Sequence, residues 1–232
     1  MKTGHLECGS EIGESGSHRH MHDHPHGASH RHGHELDRGL LALVHYLRLL
    51  PVLWRSRVSS EVVRAIAPKT GERVVDLGAG MGSATVEAVR TGASVVAVDP
   101  APSMRRILRL RRWWPGRTTV TVLDGAAESI PVADGSVDAL WTVNTIHHWT
   151  DRAKASRELA RVIRPGGRVL LVDEDLGDPG HPWHERAKRW HRFDEVDVDA
   201  LAAALLAAGF ATASGNRTSF AGRPAKVISA SR

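Results

Sequence analysis

The chain has almost no cysteine: Cys8 stands alone among 232 residues. A lone thiol excludes an intramolecular disulfide and fits a reducing compartment. No apolar core follows Met1-Lys2, so the opening residues do not read as a secretory signal, and a cytoplasmic location is the expectation. Long hydrophobic runs are missing as well. The longest, Leu40 to Trp54, is interrupted by His45, Arg48 and Pro51 and is too short to span a bilayer. Large apolar side chains are scarce in residues 1–35, which hold nine of the fifteen histidines. Such a segment cannot bury enough surface to offset the entropy of ordering, so a disordered tail is expected there. No internal repeat is present. The apolar fraction of 41% and net charge of +5 fit one α/β domain with appendages, and the charge is too modest to argue for nucleic acid.

What is present begins at residues 74–82, Val-Val-Asp-Leu-Gly-Ala-Gly-Met-Gly. An apolar run ends in Asp76, and glycines follow at 78, 80 and 82. The pattern predicts a strand that turns on glycine and enters a helix. Without a Cβ, such a turn brings backbone N–H groups close to a ligand. A second apolar run, Ala93 to Val98, ends in Asp99. A carboxylate at the tip of a second parallel strand, about 20 residues past a glycine turn, is placed to accept both hydroxyls of a ribose. Dinucleotide enzymes want G-x-G-x-x-G, but the residue five after Gly78 is Ser83, and the glycines fall as G-x-G-x-G.

The D-x-G-x-G-x-G form resembles motif I of the class I S-adenosylmethionine-dependent methyltransferases. The resemblance continues through Leu123-Asp124-Gly125-Ala126-Ala127, the segment Ile130 to Asp138, the loop Asn144-Thr145-Ile146-His147-His148-Trp149, and Arg157 to Arg168. It covers roughly residues 57–173 and is nearest to the small-molecule group that includes quinone-biosynthesis methyltransferases. It implies S-adenosylmethionine as cofactor. Asp76 would order the glycine turn near the methionine amino group, Gly78 and Gly80 would give close approach, and Asp99 would bind the ribose. Asp124 with Ala126 would address the adenine, with Pro100, Met104, Gly125 and Asn144 as further cofactor contacts. His147 is the candidate general base, since imidazole titrates near neutrality. A structural or cofactor-contacting histidine is the alternative at that position.

Strands are expected at about 73–77, 94–98, 118–123, 137–143 and 168–173, with helices at about 59–67, 82–91, 102–112 and 151–163. Strand–helix alternation with Val/Leu-rich strands implies a mostly parallel sheet covered by helices on both faces. A helix at 197–208 and short strands at about 210–218 and 224–230 would add an antiparallel edge hairpin, completing a seven-stranded Rossmann-like α/β fold. The expected organisation is a histidine-rich tail over 1–35, an N-terminal helix over 36–56 and a methyltransferase domain over 57–232. Leu36, Leu40, Leu43, Val44, Leu47 and Leu50 recur at helical spacing. That helix can pack on the domain, form a lid over the substrate pocket, or lie on a membrane surface.

Residues 181–193 are the candidate acceptor-facing segment. His181, His184 and His191 alternate there with Trp183, Trp190 and Phe193. An aromatic and imidazole surface suits a flat small-molecule acceptor, and tryptophans packed on the core are the alternative. The loop after strand four lacks the Asn/Asp-Pro-Pro-Tyr/Phe motif of exocyclic and amide nitrogen methyltransferases, and Cys8 offers no nucleophile for cytosine C5 chemistry. In the tail, His18, His20, His22, His24 and His26 alternate, as do His30, His32 and His34. Alternate residues of an extended chain share a side, so imidazole pairs can chelate Zn, Ni or Cu. A metal in the folded domain is not expected. Arg105, Arg106, Arg109, Arg111 and Arg112 precede Trp113-Trp114; they read as a solvated helix face, with an RNA surface as the alternative. The resulting expectation is methyl transfer to a small-molecule acceptor, with a non-enzymatic metal-handling protein or an RNA methyltransferase as alternatives.

Overall fold

The computed structural model describes residues 56–112, 120–190 and 196–232. The histidine tail, the helix expected over 36–50, and His191 and Phe193 lie outside the described residues.

Seven strands form one sheet. They are β1 (Arg73–Leu77), β2 (Ser94–Val98), β3 (Val120–Leu123), β4 (Val137–Val143), β5 (Ile163–Glu174), β6 (Thr212–Phe220) and β7 (Arg223–Ser231). Their order is β3-β2-β1-β4-β5-β7-β6. The first five pair in parallel. β7 runs antiparallel to both β5 and β6, so the hairpin expected at the end of the sheet is present with β6 outermost. The helices are α1 (Arg57–Ile66), α2 (Ser83–Val89), α3 (Pro102–Arg112), α4 (Arg152–Val162), α5 (His184–Trp190) and α6 (Val198–Ala207).

Alternation along each strand sends side chains into two cores. Val74, Val95, Ala139, Trp141, Leu170 and Val172 pack with Val58, Val62, Ala84, Ala88 and Leu108, from α1, α2 and α3. Val75, Val96, Leu140, Val169 and Leu171 pack with Leu159, Leu201 and Leu205, from α4 and α6. Burial of both faces explains why the parallel strands read as unbroken Val/Leu runs. Helix starts are fixed locally. Ser56 accepts from the Ser59 N–H, Asp151 from that of Lys154, and Asp197 from those of Asp199 and Ala200; such caps contribute about 1 kcal/mol each.

One boundary differs from expectation. β5 begins at Ile163, not 168, because Ile163 already pairs with Val137 before the register shifts. Pro165-Gly166-Gly167 is thus carried within the strand, with Gly166 at φ 77°.

Candidate active site

The loops after β1, β2, β3, β4 and β5 gather at the carboxyl edge of the sheet, where open α/β folds hold ligands. The turn after β1 bends sharply: the N–H groups of Gly78 and Ala79 both donate to the Val98 carbonyl, at 2.8 and 3.1 Å. Gly78 and Gly80 have φ of 71° and 53°, in the left-handed region that glycine enters without penalty. Gly78 has a second reason to be glycine, since a Cβ there would fall 2.3 Å from Thr145 Cγ2. At Gly80, among the described residues, a Cβ would meet only the Gly78 carbonyl, at 4.0 Å. That side of the turn is open.

Two carboxylates support the turn from below. Asp76, 2% exposed, accepts a 2.5 Å hydrogen bond from Thr85 Oγ1. Burial pushes its carboxyl up to about 6, against the opposing hydrogen bond of Thr85 and the nearby Trp141 indole, while the charge of Asp99 raises it further. Asp99 is buried at the tip of β2. Its Oδ2 accepts from the Gly80 N–H at 2.8 Å and its Oδ1 from the Ala101 N–H at 2.9 Å. Asp99 therefore braces the turn through both of its oxygens.

The other expected cofactor contacts sit around this pair. Met104 is buried on α3. Pro100 is exposed, and its carbonyl accepts from Arg105. Asp124 is exposed and salt-bridged to Arg105 at 2.9 Å. Gly125 is packed against Pro131, whose Cδ would lie 2.6 Å from a Cβ. Ala126 forms an isolated bridge with Ser129. Asn144 ends β4 in the left-handed region, at φ 57°. Its side chain is committed to Glu174, donating through Nδ2 at 3.2 Å and accepting from the Glu174 N–H at 2.7 Å.

His147 lies in the 3-10 turn Ile146–His148. Asp173, at the end of β5, was not singled out by sequence and organises this turn. Its Oδ1 accepts from the Thr145 and Ile146 N–H groups, at 2.9 and 3.2 Å. Its Oδ2 accepts from the His147 N–H at 3.1 Å and meets His147 Nδ1 at 2.7 Å. In the neutral tautomer that donates from Nδ1 to a carboxylate, the ring lone pair lies on Nε2. The His148 ring lies against that of His147 at 4.0 Å between centroids, tilted by 50°. The available signal was that β5, like β1 and β2, ends its apolar run in an acid.

Of the 181–193 segment, His181 is buried, and its Nδ1 accepts from the Trp183 N–H at 3.1 Å. Its Nε2 has no hydrogen-bond partner and stands 3.9 Å from Glu174 Oε1. Burial lowers the affinity of this ring for a proton. His184 Nδ1 contacts the Leu176 carbonyl at 3.0 Å. Trp183 is 38% exposed, with the Arg186 guanidinium 5.4 Å from its ring centroid. The side chain of Trp190 is outside the described residues. Among the described residues no group of three or more His, Cys, Asp or Glu is arranged to hold a metal ion. No helix among the described residues is long and apolar enough to cross a membrane.

The arginines of α3 depart from expectation. Arg106 and Arg109 are exposed, as a solvated face requires, but Arg105 and Arg111 turn inward. Their acceptors are mostly backbone carbonyls, which leave no trace in a residue pattern.

A sheet in this order, with a glycine turn after β1 and acids closing β1 and β2, defines the class I S-adenosylmethionine-dependent methyltransferase fold. The cofactor suits the residues present: open space at Gly80 adjoins the Asp99 carboxylate, which can receive the ribose hydroxyls. Residues 75–171 match the family model described as "Methyltransferase domain". It is 47% identical over 121 residues to an uncharacterized methyltransferase of Mycobacterium tuberculosis, covering 50% of this chain and 47% of that protein. Over 124 residues it is 34% identical to a demethylmenaquinone methyltransferase of Corynebacterium kroppenstedtii, covering 53% and 49%. A crystal structure of a SAM dependent methyltransferase from Aquifex aeolicus superposes with a TM-score of 0.59 at 22% identity, covering 75% of this chain and 88% of that one. The chain spans about half the length of these two curated relatives.

Proposed function

We propose that this protein, acting in the cytoplasm, transfers a methyl group in line from S-adenosylmethionine to a small-molecule acceptor, with His147 as general base. One observation carries the role of His147: the 2.7 Å contact of its Nδ1 with Asp173, which leaves Nε2 as the basic atom. Bound S-adenosylmethionine supplies a methyl group already activated on sulfonium. The chain's part is to hold the nucleophile in line, exclude water and accept a proton at Nε2. Positioning alone supplies roughly 7–11 kcal/mol in favourable cases. A positioned base adds about 10²- to 10⁴-fold. The demethylmenaquinone relative and the exposed indole of Trp183 favour a flat, quinone-like acceptor.

The test uses methyl-labelled S-adenosylmethionine and cell extract divided into small-molecule, RNA and protein fractions. Label should enter the small-molecule fraction. His147→Gln should reduce that incorporation about 100-fold or more while leaving S-adenosylhomocysteine affinity within threefold. Label confined to RNA, or full incorporation by His147→Gln, would overturn the corresponding half of the reading.

The tail supports a separate proposal, the binding of a divalent metal through its alternating histidines. A variant beginning at Leu36 should lose most Zn²⁺ or Ni²⁺ affinity in equilibrium dialysis and keep its S-adenosylhomocysteine affinity, because a tail of this composition contributes few native contacts. Metal affinity that survives the truncation would shift the site to His181, His184 and His191.

A further inference from the structure

The turns after β1, β2 and β3 meet at the carboxyl edge of the sheet, and one helix, α3, reaches all three. Along α3, Arg105, Leu108 and Arg111 follow at intervals of three and form one inward stripe. Arg105 lies at its start, with a side chain only 11% exposed. Its Nη1 donates to the Asp99 carbonyl at 2.9 Å, the Pro100 carbonyl at 2.6 Å and Asp124 Oδ1 at 2.9 Å. One nitrogen therefore ties the turn after β2 to the turn after β3. Leu108, 2% exposed, sits against the turn after β1, where its Cδ2 would be 2.6 Å from a Cβ at Gly82. Arg111, 4% exposed, donates through Nη1 to the Met81 carbonyl in that same turn.

Burying guanidinium groups is costly unless each finds acceptors. Attraction of the ligand's carboxylate is not needed to explain the cost, because Nη1 of each guanidinium is already engaged by the protein. The acceptors instead are carbonyls of the turns and a carboxylate beside them. We propose that Arg105 and Arg111 are positioning residues for the cofactor: Arg105 sets the ribose and adenine turns against each other, and Arg111 sets the glycine turn. Neither needs to touch the ligand. The division of labour follows from which loops they grip. Arg105 governs the adenosine half of the site, through the loops of Asp99 and Asp124. Arg111 governs the turn that begins two residues after Asp76, on the amino-acid side.

Two ligands separate the halves. 5′-Methylthioadenosine keeps the adenosine and lacks the amino-acid portion of S-adenosylhomocysteine. By titration calorimetry with the full-length protein, Arg105→Ala should weaken both ligands by a similar factor of ten or more. Arg111→Met should weaken S-adenosylhomocysteine about tenfold and leave methylthioadenosine within threefold. Arg105→Lys keeps the charge but offers a point donor without the planar fork, so it should recover less than half of the lost affinity on a logarithmic scale. Amide hydrogen exchange of the ligand-free variants reads the mechanism and remains informative if a variant is marginally stable. Exchange should rise at 99–101 and 124–126 for Arg105→Ala, and at 78–82 for Arg111→Met. Equal losses for both ligands in both variants, full recovery with lysine, or acceleration spread evenly over the whole sheet would overturn the proposal.

Discussion

Asp99→Ala is expected to lower S-adenosylhomocysteine affinity by about 30- to 1,000-fold, or roughly 2–4 kcal/mol. Two losses combine. The ribose hydroxyls lose an ionised acceptor, and hydrogen bonds to charged groups contribute about 1.5–3 kcal/mol. The N–H groups of Gly80 and Ala101 also lose the carboxylate that fixes them at 2.8 and 2.9 Å. The glycine turn then has to be ordered by the ligand itself, which draws on binding free energy. Asp99→Asn keeps one carbonyl oxygen and should fall between, near tenfold. Titration calorimetry distinguishes the three proteins. Wild-type affinity in Asp99→Ala would remove the ribose assignment and the bracing role together.

A second large effect is expected at Asp76, and its direction depends on pH. Its carboxyl is raised from 3.8 to about 6, chiefly by burial. The folded protein thus holds this proton more tightly than the unfolded chain does. The group favours folding fully below about pH 3.8, and that contribution is lost as pH rises through about 6. Above that window the buried carboxylate costs the fold about 3 kcal/mol relative to its protonated form. Asp76→Asn removes the ionisation and retains an oxygen for the Thr85 hydroxyl. Its Tm should exceed that of the wild type by several degrees at pH 8, and the gain should vanish near pH 4. Cofactor affinity should fall, since Asp76 underlies the turn. A Tm difference of the same size at both pH values would show that ionisation is not its cause.

The parallel strands were legible because burial on both faces forces Val/Leu runs such as Val74-Val75 and Val95-Val96, and the turn glycines because positive φ selects the residue. Asp99 announced itself by closing a strand. Asp173 did the same, yet its role depends on a loop 26 residues earlier in the chain. Spacing along the sequence carries no record of that approach. Arg105 and Arg111 were misread for a related reason. Five arginines in one short helix look like a solvated face, and backbone carbonyls that accept from two of them have no residue identity. His181 likewise gives no local sign that one ring nitrogen is buried without a partner.

The position of β7 has a consequence for how the protein is made. It follows every other strand in sequence, yet it fills the slot between β5 and β6. Until β7 emerges from the ribosome, one edge of β5 exposes unpaired backbone groups beside the apolar Leu170, Leu171 and Val172. An open, flat, apolar edge is a template for pairing with another chain. Nascent chains halted before Arg223 should therefore be prone to associate through β5 and to depend on chaperones, although the whole glycine turn and both bracing carboxylates have already been synthesised.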